Sequence, residues 1–147
     1  MQWLALPLVA LTGLLNTVQA GANAQLAKAL GQPWWAAVAV YLTGLVGVGL
    51  VMAAGGVAWP GWGKAADAPW WAWTGGVLGA TYVMAMLMFA ERLGSAVFTA
   101  VTVTSGLLAS LALDHYGLVG FKEHPFNVWR GLGAALMLGG LGLIARF

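Results

Sequence analysis

The chain has 147 residues, 61% of them hydrophobic and only 7% charged, with a formal net charge of +2. Four acids and six bases are too few to hydrate the surface of a soluble domain of this length, where about a quarter of residues is normally charged. Cysteine is absent, which excludes disulfides and thiolate sites, and no basic stripe exists that could follow a nucleic-acid backbone.

Five apolar stretches, each near the ~20 residues that cross a bilayer, predict an all-α polytopic membrane protein in a single transmembrane domain over 1–147. The spans are expected at about 3–30, 34–55, 70–92, 95–113 and 128–146. The first twenty residues also have the look of a secretory signal ending in Val18-Gln19-Ala20. They carry no Lys or Arg, however, so an uncleaved first span is the expectation.

The first span holds the most informative polar residues. Thr12, Asn16, Gln19 and Asn23 recur at steps of four, three and four, which places them on one narrow helical stripe. Amides in hydrocarbon are costly unless they find hydrogen bonds, so this stripe must face protein or a wet cavity. It either lines a solute site near the midplane or cross-links helices, and three amides on one face favour the lining.

Gly31-Gln32-Pro33 then makes a tight turn, because glycine tolerates a left-handed cap and proline suits a first helical turn. A longer connection, from Gly56 to Pro69, precedes the third span. That span carries Gly75, Gly76 and Gly79 in a close-packing pattern, then Tyr82, whose hydroxyl needs a partner in the membrane. Met84, Met86 and Met88 share no helical face and read as adaptable packing.

Gly94-Ser95 forms the second tight turn, with Ser95 expected as an N-cap. In the fourth span Thr99 and Thr102 form a milder polar face, either part of the pathway or bonded back to their own helix. The fifth span, reached through 114–127, has no interior polar side chain. Its Gly131, Ala135 and Gly139 make a small-residue ridge suited to a dimer contact or to packing within the chain. Glu91 and Asp114 fall at span ends rather than the midplane. Each reads as a coupling group or an ion-pair partner, Asp114 with Arg130. Trp34, Trp35, Trp70, Trp71 and Trp129 stand where interfacial anchors belong. His115 and His124 lack metal-ligand spacing, no enzymatic constellation is present, and no cofactor or metal is expected.

The basic residues divide evenly. Lys28, Arg92 and Arg146 fall on the face of the tight turns, and Lys64, Lys122 and Arg130 on the face of the long loops. An excess of Lys and Arg normally fixes orientation, so an even split predicts insertion both ways and an antiparallel homodimer, unless the N-terminal amine, hydropathy or a homologue of fixed orientation selects one direction. Such a pair reproduces in two chains the inverted repeats that many transporters hold in one.

Several stretches carry a resemblance to a known family. They are Gln19-Ala20-Gly21-Ala22-Asn23-Ala24-Gln25-Leu26, Gln32-Pro33-Trp34-Trp35-Ala36 and Pro69-Trp70-Trp71-Ala72-Trp73 with Gly75-Gly76 and Gly79. To these are added Asp114-His115-Tyr116-Gly117 and Arg130. Together, over nearly the whole chain, they resemble the YdcZ-like family of small bacterial membrane proteins in the drug/metabolite transporter superfamily. The resemblance implies a five-helix half-transporter of the bacterial inner membrane, working as a dual-topology chain, as paired chains of opposite topology, or as fused halves. It also implies that Gln19, Asn23, Asp114 and Arg130 occupy the family's recurrent polar positions. Where relatives often carry Gly-Gln in the fourth helix this chain has Gly106-Leu107, which weakens a binding amide there.

The expectation is therefore a transporter of a small polar or amphipathic molecule, contacted by Asn16, Gln19 and Asn23, with Tyr82, Thr99 and Thr102 as lesser partners. Its alternatives are half of a heterodimeric transporter, a non-transporting accessory subunit, or a passive pore.

Overall fold

The computed structural model describes residues 2–147, apart from the side chains of Gln2 and Leu4. Its elements are α1 (Gln2–Leu30), α2 (Pro33–Ala54), a short α3 (Trp62–Ala66), a 3-10 turn (Trp70–Thr74) leading into α4 (Gly75–Leu93), α5 (Ser95–Tyr116) and α6 (Val128–Arg146). Among the described residues there is no strand, and five helical segments are long and apolar enough to cross a membrane: Ala5–Leu30, Pro33–Ala54, Trp70–Leu93, Ser95–Tyr116 and Val128–Arg146. The fourth span runs three residues past its expected end, because Asp114-His115-Tyr116 stay helical until Gly117 adopts the left-handed cap.

The turn between α1 and α2 follows from its residues. Gly31 has φ +68, Gln32 is extended, and Pro33 opens α2 where its missing N–H costs no helical bond. The turn between α4 and α5 differs from expectation in one detail. Gly94, at φ 84 and ψ 143, is itself the N-cap residue, and Ser95 is the first helical residue with no capping bond. A backbone conformation close to one that only glycine adopts readily placed the boundary, ahead of the side-chain preference of serine.

The chain forms two compact units, one ending at Glu91 and the other beginning at Arg92. In the first, α1, α2 and α4 meet through small and branched side chains. Ala36, Ala37, Val83 and Leu87 are buried, with Leu26, Ala27, Val40 and Tyr82 packed against them. The two alanines let the backbone of α2 approach its neighbours, as suits helices without a strong hydrophobic drive between them. In the second unit α5 packs on α6, and Ala134 is buried. Elsewhere the helices present bare aliphatic surface: Leu11, Leu14 and Val18 of α1 are all exposed, as lipid-facing positions should be. Trp34, Trp35, Trp70, Trp71 and Trp129 stand exposed at or near helix ends, where indole rings sit at the headgroup level.

Candidate functional site

The stripe on α1 becomes an open groove. Thr12, Gly13, Leu15, Asn16 and Gln19 line a concavity of about 650 Å³ on the first unit. The two amides at its centre differ in how they are held. Asn16 is half-buried and donates from Nδ2 to the Tyr82 hydroxyl of α4 at 3.3 Å. That bond fixes the amide plane and leaves its carbonyl oxygen for another donor. Gln19 is exposed, and among the described residues nothing hydrogen-bonds its side chain. Thr12 donates to the carbonyl of Val9 at 2.7 Å and keeps its oxygen available as an acceptor.

The fourth member of the stripe goes elsewhere. Asn23 is buried and donates from Nδ2 to the Met86 sulfur at 3.5 Å. Met86, one of three methionines read as adaptable packing, is the largest fully buried side chain. A thioether is a weak acceptor, so Asn23 ties α1 to α4 rather than opening into the groove. One turn further along, Lys28 Nζ stands 2.6 Å from Glu91 Oε1, with both side chains about half exposed.

The other expected site residues fall outside this groove. Thr102 is half-buried and gives its hydroxyl to the carbonyls of Phe98 (3.0 Å) and Thr99 (3.1 Å), the local alternative for such residues. Thr99 is half-buried on the same helix. Tyr82 reaches Asn16 rather than an empty cavity. The glycine ridges also divide. A Cβ on Gly79 would stand 3.6 Å from the Tyr41 hydroxyl, whereas among the described residues nothing comes within 4 Å of a Cβ on Gly75 or Gly76. Gly131 is covered from inside: a Cβ there would meet the Phe126 ring at 2.8 Å. Ala135 is exposed, and Gly139 is open.

The second unit brings Asp114, His115, His124 and Arg130 together at one end. Arg130 Nη1 stands 3.5 Å from Asp114 Oδ2, each about one third exposed, and also donates to the carbonyl of His124 at 3.1 Å. The loop is strapped down by backbone bonds. His124 N–H donates to the carbonyl of Asp114 at 2.7 Å, and Phe126 N–H to His115 Nδ1 at 3.1 Å. Asn127 caps α6 by accepting from Arg130 N–H at 2.9 Å. Both histidines therefore hold a loop, and among the described residues no group of three or more His, Cys, Asp or Glu is placed to bind a metal.

Sequence reasoning missed Gly13 and Leu15 as groove lining, Asn127 as a cap and the histidines as loop fasteners. Asn127 was findable, since Asn just before an apolar run is a start signal. The long-range histidine contacts join residues ten and eleven apart across a loop and leave no periodic trace.

The sequence pattern of the family described as "Putative inner membrane exporter, YdcZ" matches residues 4–143. No curated protein and no solved structure matches the chain.

Proposed function

We propose that this chain, which belongs to the YdcZ family of inner membrane exporters, exports a small neutral or zwitterionic molecule of polar or amphipathic character, as an antiparallel pair of copies. The observation that carries this reading is the exposed, unpartnered amide of Gln19. It lies three residues, about 4.5 Å, from Asn16, midway along a 29-residue helix. An amide at that depth in lipid is costly until a solute, water or a second copy satisfies it. Thr12, Asn16 and Gln19 together offer donors and acceptors without net charge. That suits hydroxyl, amide or zwitterionic groups better than a bare cation.

One protomer supplies one wall. A second copy, inserted upside down, supplies the other, and the even division of Lys and Arg between the two faces permits it. Alternating access then comes from rocking of the two copies about a site near the midplane. The Lys28–Glu91 and Asp114–Arg130 pairs lie at span ends, so no carboxylate stands at the midplane to demand a cationic substrate.

The test is efflux from proteoliposomes loaded with an isotope-labelled metabolite extract and read by mass spectrometry. Wild-type protein should deplete one or a few neutral or zwitterionic compounds with saturation, and Gln19→Leu should not. Equal efflux from both, or efflux without saturation, would sink the groove as a binding site. Reporter fusions at the C-terminus check the pairing: activity on both membrane sides supports inversion. Activity on one side alone favours a heteromeric or accessory role.

A further inference from the structure

Outside the α1 groove, a furrow of about 560 Å³ runs between α5 and α6. Its mouth is charged and its floor is not. Asp114 and Arg130 stand at one end, Ser110 lies a turn below Asp114, and Leu107, Gly133 and Met137 continue the furrow inward. We propose that it seats a phospholipid whose headgroup carries a primary ammonium beside its phosphate, the ammonium against Asp114 and the phosphate against Arg130.

Depth is the first argument. Arg130 is the third residue of the 19-residue α6, and Asp114 the third from the end of α5. A 19-residue helix is about 28 Å long, close to the ~30 Å hydrocarbon thickness, so these two side chains stand at the level of lipid phosphates. Spare bonding capacity is the second. At 3.5 Å the ion pair is looser than the 2.7–2.9 Å of a close charge-assisted bond. Arg130 commits only Nη1, to Asp114 and to the His124 carbonyl, out of five N–H donors. Both groups are about one third exposed and open to an incoming headgroup.

The floor separates a lipid from a free zwitterion. From Arg130 to Met137, and from Asp114 back to Leu107, the furrow runs seven residues, about 10 Å, into the hydrocarbon zone. A soluble molecule holding the mouth would leave that apolar length unfilled, whereas an acyl chain occupies it. Gly133 keeps the furrow open, since a Cβ there would meet nothing within 4 Å. The charge pattern chooses among lipids. An anionic headgroup gains Arg130 but faces Asp114 with no cation, and a quaternary ammonium has no N–H to give the carboxylate.

The experiment is native mass spectrometry of the delipidated full chain, titrated with phosphatidylethanolamine, phosphatidylcholine and phosphatidylglycerol of matched acyl chains. Phosphatidylethanolamine should bind about fivefold more tightly than the other two, the upper end of what a partly exposed ion pair contributes. Asp114→Asn should remove its advantage over phosphatidylglycerol, and Arg130→Gln should weaken all three lipids. Gly133→Leu leaves the charges alone and fills open space, so it keeps the proposal testable if the charge variants fail to fold; it should weaken all three lipids. Equal binding of the lipids to wild type, retained preference in Asp114→Asn, or undiminished binding to Gly133→Leu would overturn the proposal. So would binding of glycerophosphoethanolamine, which has the headgroup without acyl chains, as tightly as the intact lipid.

Discussion

Disulfide trapping offers the most direct test of the inverted pair, because the chain has no cysteine and any introduced thiol reports alone. The span Ala5–Leu30 has its midpoint between Thr17 and Val18. If two copies of α1 face one another head to tail about that midpoint, each Gln19 lies one and a half residues from it. Paired Gln19 positions are then offset by three residues, about 4.5 Å along the axis. Thr12 lies five and a half residues away, and its copies are offset by eleven residues, about 16.5 Å. Cysteines bridge only when their Cα atoms come within about 7 Å. Mild oxidation in native membranes should therefore give a covalent dimer on non-reducing gels for Gln19→Cys and only background for Thr12→Cys. Both substitutions fall on groove-lining, exposed positions, so neither disturbs a packed contact. Equal trapping of both would indicate a parallel pair, and trapping of neither would remove α1 from any interface between copies; each result refutes the inverted arrangement.

Three further outcomes follow from the packing. Asn16→Ala and Tyr82→Phe should each abolish export while their coupling in a double-mutant cycle, measured by detergent-induced unfolding, stays near the ~0.6 kcal/mol usual for such bonds in membranes; a coupling above about 2 kcal/mol would mark the bond as structural. Gly94→Ala should destabilise by about 1–3 kcal/mol in the same unfolding assay, since φ 84 with ψ 143 is a conformation that side chains resist. Glu91→Gln should cost less than about 1 kcal/mol, because the Lys28–Glu91 pair is half exposed and screened; a larger loss would show that the pair is buried in the assembly.

Hydropathy made all five spans legible, since the length of hydrocarbon to be crossed leaves little freedom in where a helix ends. Gly31 and Pro33 were equally readable, because each has a backbone restriction that a turn uses directly. What the sequence left open shares a cause. Asn23 and Asn16 lie on one face of α1, yet one meets a sulfur and the other a hydroxyl, and only the packing of α4 decides which. Gly131 looked available to a neighbouring helix because the strand of loop that brings Phe126 over it carries no periodic signal. Trp62–Ala66 is too short for a period to be seen against its loop. Periodicity reports which side of a helix is polar; it does not report what stands opposite.

The open amide of Gln19 also bears on assembly. If it is satisfied by cargo and by a second copy in the same cleft, the two binding events share one free energy. Cargo must then tighten the association of the chains by the same factor as association tightens the hold on cargo. Diluting the protein in lipid should weaken apparent cargo affinity, and adding cargo should restore the dimer population, with no conformational signal passing between distant sites.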